Sequence, residues 1–573
     1  MLVSHLQSEE LRTVFEATSS SSPLGQQRIL FWDSIFHCAG LDALTLKDYI
    51  DIPQWMMASI GPLLAVMLSS KMAGAVDVDG TPAQVMRRRL LWLLSCLSYH
   101  IPQELLPHVL SLLFSVLDHT TRSSDTVTMI QATQTLGAII ETYSFHSSML
   151  VGSFPALVQS LCALTLQLES CEARSSVVDL IGQLLLKMGV RIRPILQPVA
   201  LHLHTLWTSA EAMSPVRNSV LEALSHMVRS AGASSDSLEP LVLPMLVTIF
   251  NQEDTGVWRE AKELWLGLVR AASAYSLDMD ALFKVVMPII VSVDSEDLVP
   301  GSSAELRTLM MITEAYALLG RETFLQSSSE ILAAILHQCL GSQLESKTVS
   351  VVRRPLDALF FAAPAAAAAF VCRSGVLAAM LRTCGAAMDN FKMYFPDFGE
   401  KPVVLVAFLS VVCRSLTIAP AALHEQIAGV LQQVGVQGGE SFFQQGLFRL
   451  LVDNFDKVEG LWDKRLWLRT MLGMYPSADP SLVSSLSEVC QHGVSLLISI
   501  SSDKEEDVIA VNTRRDMETF GDSCPKRFDD EDNAPGPEAT TTIYKAMVVA
   551  DPITSIDFQV GLVFTRFLMH TQF

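Results

Sequence analysis

Apolar helical segments that begin close to a proline recur along the first half of the chain. Consecutive prolines of this series are separated by 45, 48, 43, 46 and 44 residues. The series consists of Pro62, Pro107, Pro155, Pro198, Pro244 and Pro288. Self-similarity at a nearly fixed period predicts a repeat protein rather than several unrelated domains.

A second amphipathic segment lies between successive prolines and keeps its own spacing. The residues near its start are separated by 43, 43, 43, 42, 48 and 46 residues and are Arg88, Gln131, Arg174, Arg217, Arg259, Arg307 and Arg353. In one copy, apolar residues fall at i, i+4, i+7, i+8, i+11 and i+15 from Val257, which is typical of one buried helix face. Two helices per 42 to 48 residues is the HEAT or armadillo period. The pattern predicts an all-α superhelix, a solenoid of antiparallel helix pairs in which proline bends each first helix.

The repeat is less regular after residue 355, where six further helical segments are predicted without clear pairing. These are Gly375–Ala387, Pro402–Leu416, Ala421–Val434, Phe442–Asp456, Leu461–Tyr475 and Ser481–Ser499. Residues 501–542 carry an acidic cluster followed by Asn, Pro and Gly, which is typical of a disordered insertion. The predicted organisation is a solenoid over 1–500, an insertion over 501–542 and a C-terminal helical segment over 543–573.

Composition excludes some classes of function. Half of the 573 residues are hydrophobic and 17% are charged, so the chain can bury a continuous core. Acidic residues number 60 and basic residues 40, and the resulting net charge of -20 disfavours binding to nucleic acid. The longest uncharged apolar run, Ala358–Cys372, is interrupted by Pro364 and is too short to cross a bilayer. We predict no nucleic-acid partner and no membrane insertion.

The chain lacks the sequence patterns of common catalytic and metal sites. No GxxxxGK[ST], GxGxxG, HExxH or GxSxG motif stands in a suitable context. His202 and His204 are spaced i, i+2, which places them on different helix faces and is poor geometry for a metal. The ten cysteines form no CxxC pair, and Cys162 and Cys171 are predicted to be core thiols of a reduced protein. The sequence therefore predicts no enzyme activity, no cofactor and no metal.

Five segments occur in an order and at spacings that match a known family. They are Val85–Leu113, Lys187–Trp207 with its IRP turn, Leu238–Leu246 followed by Trp258–Val269, Phe455–Leu472, and Val548–Ile556 after an acidic loop. Together they resemble the C-terminal part of the importin-11-like members of the importin-beta (karyopherin) family. The resemblance covers most of the chain from about residue 25 onward.

The resemblance implies a nuclear transport receptor that shuttles between cytoplasm and nucleus and binds protein cargo for import. Its expected partners are cargo, the Ran GTPase and FG-repeat nucleoporins. In this family the cargoes include ubiquitin-conjugating enzymes and a ribosomal protein. The principal Ran-GTP surface lies in N-terminal repeats, and the resemblance begins inside the family's length, so we expect that surface to be missing. The alternative function is a HEAT-repeat scaffold subunit of a multiprotein complex, which would bind neither Ran-GTP nor nucleoporins.

Three acidic residues form the candidate partner-binding site. Asp179, Glu222 and Glu263 each follow a predicted core residue by two positions, which is roughly 200° around a helix and away from the core. Their separations of 43 and 41 residues match the repeat, so stacked helices would align them as a stripe. Such a stripe is compatible with an ordinary solvated polar face. It also suits the binding of a basic cargo surface by electrostatic complementarity.

Overall fold

The computed structural model describes residues 23–68, 82–118, 125–211, 214–252, 255–293, 303–341, 346–395, 402–458, 461–474, 489, 491–493 and 539–551. Every regular element in these ranges is helical, and none of them contains a strand. The all-α prediction is therefore confirmed. The described residues form two compact units, one ending at Leu241 and one beginning at Val242. The predicted solenoid over 1–500 includes residues of both units.

Unit 1 is built from helices that follow the predicted pairs. They are α1 (Pro23–Leu41), α2 (Ala43–Leu46), α3 (Ile52–Trp55), α4 (Gly61–Leu68), α5 (Pro82–Cys96), α6 (Leu106–Leu117), α7 (Thr126–Ile140), α8 (Phe154–Gln167), α9 (Cys171–Met188), α10 (Leu196–Ser209) and α11 (Pro215–Ala231). A π-helical turn, Met56–Ile60, joins α3 to α4. The boundary between the units falls within α12 (Glu239–Phe250).

Two layers of helices make up unit 1. The first helices of the pairs, α4, α6, α8 and α10, pack on one another in sequence, and so do the second helices, α5, α7, α9 and α11. The contact between α9 and α11 is especially close, because a Cβ on Gly182 would lie 3.1 Å from the Cα of Ala223. This arrangement is the stack of antiparallel pairs that the repeat period predicts. We call the layer that the second helices form within a unit the second-helix layer of that unit.

Three of the six repeat prolines do not act as the sequence analysis predicts. Pro107 and Pro155 occupy the second position of their helices, and Pro198 occupies the third position of α10. A backbone N–H in the first turn has no intrahelical partner, so proline costs little there and its fixed φ favours helix initiation. Pro244 and Pro288 lie inside a helix, and Pro62 follows the π-helical turn within the unbroken helical run 52–68. Proline therefore begins three of the first helices rather than bending them.

Unit 2 contains the remaining helices. They are α13 (Trp258–Ala271), α14 (Leu277–Val293), α15 (Ser303–Gly341), α16 (Ser346–Ala362), α17 (Pro364–Arg373), α18 (Val376–Ala386), α19 (Pro402–Ile418), α20 (Pro420–Gln433), α21 (Glu440–Asn454), α22 (Leu461–Met474) and α23 (Ala539–Ala550). The non-helical backbone of Arg321, with φ 50° and ψ -127°, bends α15 into two arms. Helices α18 to α22 confirm five of the six segments predicted after residue 355. Most of Ser481–Ser499 and all of 554–573 lie outside the described residues.

The second-helix layer of unit 2 consists of α13, the first arm of α15, α16, α19 and α22. Each of these helices packs against the next one in this order. Helix α23 packs on α13, α15 and α16. Because α23 begins at Ala539, it includes the last four residues of the stretch 501–542 that the sequence assigns to an insertion.

Helices α17 and α18 form a strongly apolar connected pair. Several side chains of α17 are buried, among them Ala367, Phe370 and Val371. Within the described ranges, no single helix has both the length and the apolar character needed to cross a bilayer. Only α17 and α18 taken together meet that criterion, and they are bent by 71°.

Candidate functional site

Two of the three candidate acids lie side by side on the second-helix layer of unit 1. Asp179 belongs to α9 and Glu222 to α11, and these helices pack directly against each other. Both residues are exposed, whereas Val177 and Val220, two positions earlier, are fully buried. The fold therefore presents a pair of carboxylates on the outward faces of adjacent helices.

Asp179 lies at the contact between α9 and α11. Partial desolvation raises the pKa of its carboxyl above the ordinary value, and a hydrogen bond from the Ser219 side chain opposes this shift. Ser219 of α11 also shares a hydrogen bond with Ser175 of α9, with 2.6 Å between the hydroxyl oxygens. A carboxylate that has lost part of its hydration is stabilised by a nearby cation. A basic partner side chain would provide that stabilisation.

Glu222 lies beside a histidine of the same helix. Its side chain is 61% exposed, and its Oε1 atom lies 3.9 Å from Nε2 of His226, one turn further along α11. Burial, together with the nearby charge of Arg229, lowers the pKa of His226 to about 4. His226 is therefore uncharged at neutral pH.

His226 makes the stability of unit 1 depend on pH. The unfolded chain protonates this histidine near pH 6.5, while the folded chain does so only near pH 4, so the folded state is penalised as pH falls through this window. We expect a loss of about 2 kcal/mol between pH 7.5 and pH 5 from this residue alone. Urea unfolding of the wild type and of His226→Gln at both pH values measures it. Equal pH dependence in the two proteins would contradict the prediction.

A further acidic residue, Glu141, lies next to the acidic pair at the end of α7, which is also a second helix. The sequence analysis did not identify it. It is exposed at the end of α7, and the side-chain amide of Gln183 in α9 donates to its Oε1 atom at 3.4 Å. The repeat spacing could not identify it, because it precedes Asp179 by 38 residues instead of 43. Its contact with α9 is visible only in the folded structure.

Glu263 does not share the setting of the other two candidates. It belongs to α13 in unit 2, and its side chain is half-buried. The preceding core position, Ala261, is fully buried as predicted. The structure therefore brings Asp179 and Glu222 together within one unit and places Glu263 in the other.

The arginines that mark the start of the second helices join neighbouring helices. Arg88 of α5 donates to Asp125, the residue before α7, at 2.5 Å and to the hydroxyl of Thr128 at 3.0 Å. The guanidinium of Arg217 lies 4.7 Å from the ring centre of Trp207 in the preceding helix. These contacts support the interpretation of the register residues as scaffold.

The structure shows the surroundings of the histidines and cysteines that the sequence analysis considered as possible metal ligands or reactive groups. His202 is hydrogen-bonded to the Thr165 hydroxyl at 2.9 Å, and burial lowers its pKa. Burial raises the pKa of the Cys162 thiol to about 12. Cys171 is exposed at the first position of α9, so its prediction as a core thiol is wrong. The part of the chain that the structure describes contains no group of three or more potential metal ligands.

Comparison with known proteins shows the family to which this chain belongs. A protein-family model described as importin-11-like with TPR repeats matches residues 218–561, which is more than half of the chain. This chain belongs to the importin-11-like family. The helix pairs of this importin-11-like chain recur every 42 to 48 residues, which is the HEAT period, whereas TPR units have about 34 residues.

Individual relatives support the same assignment. Importin-11 of Mus musculus is 23% identical over 335 residues, which cover 58% of this importin-11-like chain and 32% of the mouse protein. The importin beta-like protein Kap113 of Schizosaccharomyces pombe is 19% identical over 561 residues, covering 95% and 50% of the two chains. The chain therefore spans half or less of the length of these curated relatives.

The fold of the importin-11-like chain is also found in a solved structure. Lph2 of S. cerevisiae, described as a bidirectional nuclear transport receptor, superposes with a TM-score of 0.74 at 15% identity. The match covers 100% of this chain and 56% of Lph2. At this identity the likeness establishes a common helical-repeat fold. The relatives are named as importins or transport receptors, and none of these three is named as an enzyme.

Proposed function

We propose that this chain acts as a nuclear transport receptor of the importin-beta type, which binds protein cargo for import into the nucleus. The observation that carries the proposal is the importin-11-like family match over residues 218–561. The names of the relatives, Importin-11 and an importin beta-like protein, support the direction of transport. A receptor of this type shuttles between cytoplasm and nucleus.

The proposed cargo-binding surface is the second-helix layer, and the proposed cargo surface is basic. Within each unit, stacked helix pairs offer a continuous surface without any cofactor or moving catalytic part. Asp179 and Glu222 supply exposed negative charge on adjacent helices, and Glu263 supplies a further carboxylate in unit 2. Complementary charge increases the association rate and selects against acidic proteins.

The further proposed partners are FG-repeat nucleoporins and Ran. Binding to these partners tests the receptor function. The chain is passed over an immobilised FG-repeat segment and over the same segment with every Phe replaced by Ser. We expect retention on the first matrix alone. We also expect a fluorescent basic ribosomal protein to accumulate in the nuclei of permeabilised cells when the chain is added.

Ran is tested in the same system. Ran loaded with GTP is added to the chain with bound ribosomal protein, and Ran loaded with GDP is the control. Release by the GTP form alone would place a functional Ran site in this chain. Failure of both FG retention and nuclear accumulation would contradict the receptor function and leave the scaffold alternative.

Charge reversal tests the acidic surface. We expect the triple variant Asp179→Lys, Glu222→Lys and Glu263→Lys to bind the basic ribosomal protein about 10- to 100-fold more weakly at low salt. The difference should decrease at high ionic strength, because salt screens exposed charges. Titration of the labelled ribosomal protein at several salt concentrations measures both effects.

A matched variant separates position from net charge. Asp48, Glu104 and Asp278 are exposed acids outside the second helices, and their replacement by Lys changes the net charge by the same amount. We expect this control to reduce affinity by no more than about threefold, since only long-range attraction is lost. If both triple variants weaken binding equally, or neither does, the candidate acids do not form the cargo site.

A further inference from the structure

Helix α23 lies on the second-helix layer of unit 2 in the manner of a bound amphipathic helix. Its contacts are with α13, α15 and α16. Thr540, Tyr544 and Met547 of α23, together with Asp551 directly after it, fall at positions i, i+4, i+7 and i+11, which is the spacing of one helix face. Thr540 and Asp551 are buried, and the other two are half-buried, whereas Thr542, Ala546 and Ala550 are exposed. This spacing is the one used when a helix binds in a groove.

A buried ion pair anchors the end of α23. Asp551, which directly follows the helix, accepts hydrogen bonds from both terminal nitrogens of Arg414 in α19, and both side chains are at most 5% exposed. The guanidinium lies 4.4 Å from the ring centre of Trp462 and 4.8 Å from that of Phe361. Two aromatic rings therefore hold Arg414 so that it presents its paired donors to one carboxylate.

The same contacts extend to the helix itself. The ring of Tyr544 meets the ring of Phe361 edge to face, with 5.6 Å between the ring centres. The indole N–H of Trp462 is buried and has no hydrogen-bond acceptor among the described residues. Arg414 therefore lies against a ring whose buried N–H has no acceptor in the described part of the chain.

The short length of α23 and the long connection before it allow another helix to take its place. It has 12 residues, and helices of this length are marginal in water, so its helical form depends on the surface beneath it. His492 stacks on Phe455 of unit 2 with 4.4 Å between the ring centres, and 45 residues separate Gly493 from the start of α23 at Ala539. A buried ion pair contributes specificity more than net stability, because its desolvation offsets most of the attraction. A weakly held helix on a long connection competes with a helix from another molecule.

We propose that the second-helix layer of unit 2 contains a helix-binding groove, that α23 is its internal occupant, and that an amphipathic partner helix with one acidic residue displaces α23. The partner's carboxylate binds Arg414 in place of Asp551. Apolar residues four and seven positions before it replace Met547 and Tyr544. The groove recognises an acidic helix through Arg414, whereas the proposed cargo surface recognises a basic protein. It shares α13 with Glu263 but involves neither Asp179 nor Glu222, and it does not depend on the cargo function.

A synthetic peptide with the sequence of residues 539–551 is the probe, and full-length chains are the receptors. The wild-type chain should bind the fluorescein-labelled peptide weakly, because α23 competes at a high effective concentration. The Asp551→Ala chain, whose own α23 has lost its anchor, should bind the peptide at least 10-fold more tightly. The Arg414→Met chain should not gain affinity, since it lacks the residue that receives the carboxylate.

Peptide variants test the same contacts from the other side. A peptide with Asp551→Ala should not bind the Asp551→Ala chain. A peptide with Thr542→Ala, altered on the exposed face, should bind as well as the parent peptide. Equal affinity of all peptides and all chains would overturn the proposal.

Hydrogen exchange distinguishes a displaced helix from an unfolded unit. In the Asp551→Ala chain, the amides of α23 should exchange faster while those of α13, α15 and α16 keep wild-type protection. If those three helices lose protection together with α23, then α23 is an integral part of the core and the groove is not a binding site. A concentration-dependent dimer of the wild-type chain that exchanges α23 between copies would also overturn the proposal, because the occupant would then be a second copy.

Discussion

Replacement of Trp265 by Ala is expected to lower the free energy of unfolding of unit 2 by about 3–5 kcal/mol. The indole is fully buried in α13, and its ring centre lies 6.0 to 6.4 Å from those of Phe250, Phe283 and Tyr316. Its N–H donates to the Tyr316 hydroxyl at 3.0 Å, and that hydroxyl donates to the carbonyl of Met279 at 2.9 Å. The substitution opens a large cavity and removes a buried hydrogen-bond donor at once.

Urea unfolding followed by far-ultraviolet circular dichroism measures the effect in the full chain. Because the described residues form two units, hydrogen exchange of α13 and α15 amides identifies which transition belongs to unit 2. Trp265→Phe keeps a ring and should cost about 1–3 kcal/mol, from lost volume and the lost donor. Leu277→Ala, at a side chain that is 86% exposed, should change stability by no more than about 0.5 kcal/mol. A cost below 1 kcal/mol for Trp265→Ala would show that this aromatic cluster does not hold unit 2 together.

The helices could be predicted from sequence because their signals are local. The segment predicted as Pro402–Leu416 is α19, Pro402–Ile418, and the segment predicted as Leu461–Tyr475 is α22, Leu461–Met474. Apolar spacing at the helical period and a proline at the first position act within a single helix. The 43-residue repeat adds one longer-range constraint, and it correctly places Asp179 and Glu222 on adjacent second helices.

Other features depend on contacts between residues that are far apart in the sequence, which local sequence patterns do not predict. Asp551 pairs with Arg414, which lies 137 residues away in the sequence, so the position of α23 on the second-helix layer could not be predicted. Glu141 reaches α9 only through Gln183, and its spacing falls outside the repeat. Each of these interactions joins residues whose relation is fixed by packing rather than by spacing along the chain.

Arg353 provides the second large expected effect. Its terminal nitrogens donate to both carboxylate oxygens of Asp463 in α22, at 2.8 and 2.5 Å, and its Nε lies 2.9 Å from the carboxylate of Asp357 in its own helix. Burial disfavours the charged guanidinium, but Asp357 and Asp463 outweigh burial and raise its pKa. Arg353→Ala leaves two neighbouring carboxylates without their shared cation. We expect a loss of about 3 kcal/mol in the free energy of unfolding of unit 2, measured by the same urea titration.

Two further variants separate the charge from the lost side-chain volume. Arg449→Ala removes an arginine whose pair with Asp453 is 58% and 49% exposed, and such surface pairs contribute no more than about 1 kcal/mol. The double variant Arg353→Ala with Asp463→Asn removes the charge of one of the two carboxylates and should recover about half of the loss, because repulsion between the carboxylates disappears. If the double variant is less stable than Arg353→Ala, the cost lies in packing rather than in unpaired charge. Arg353 would then act in unit 2 through the volume that it fills between α16 and α22.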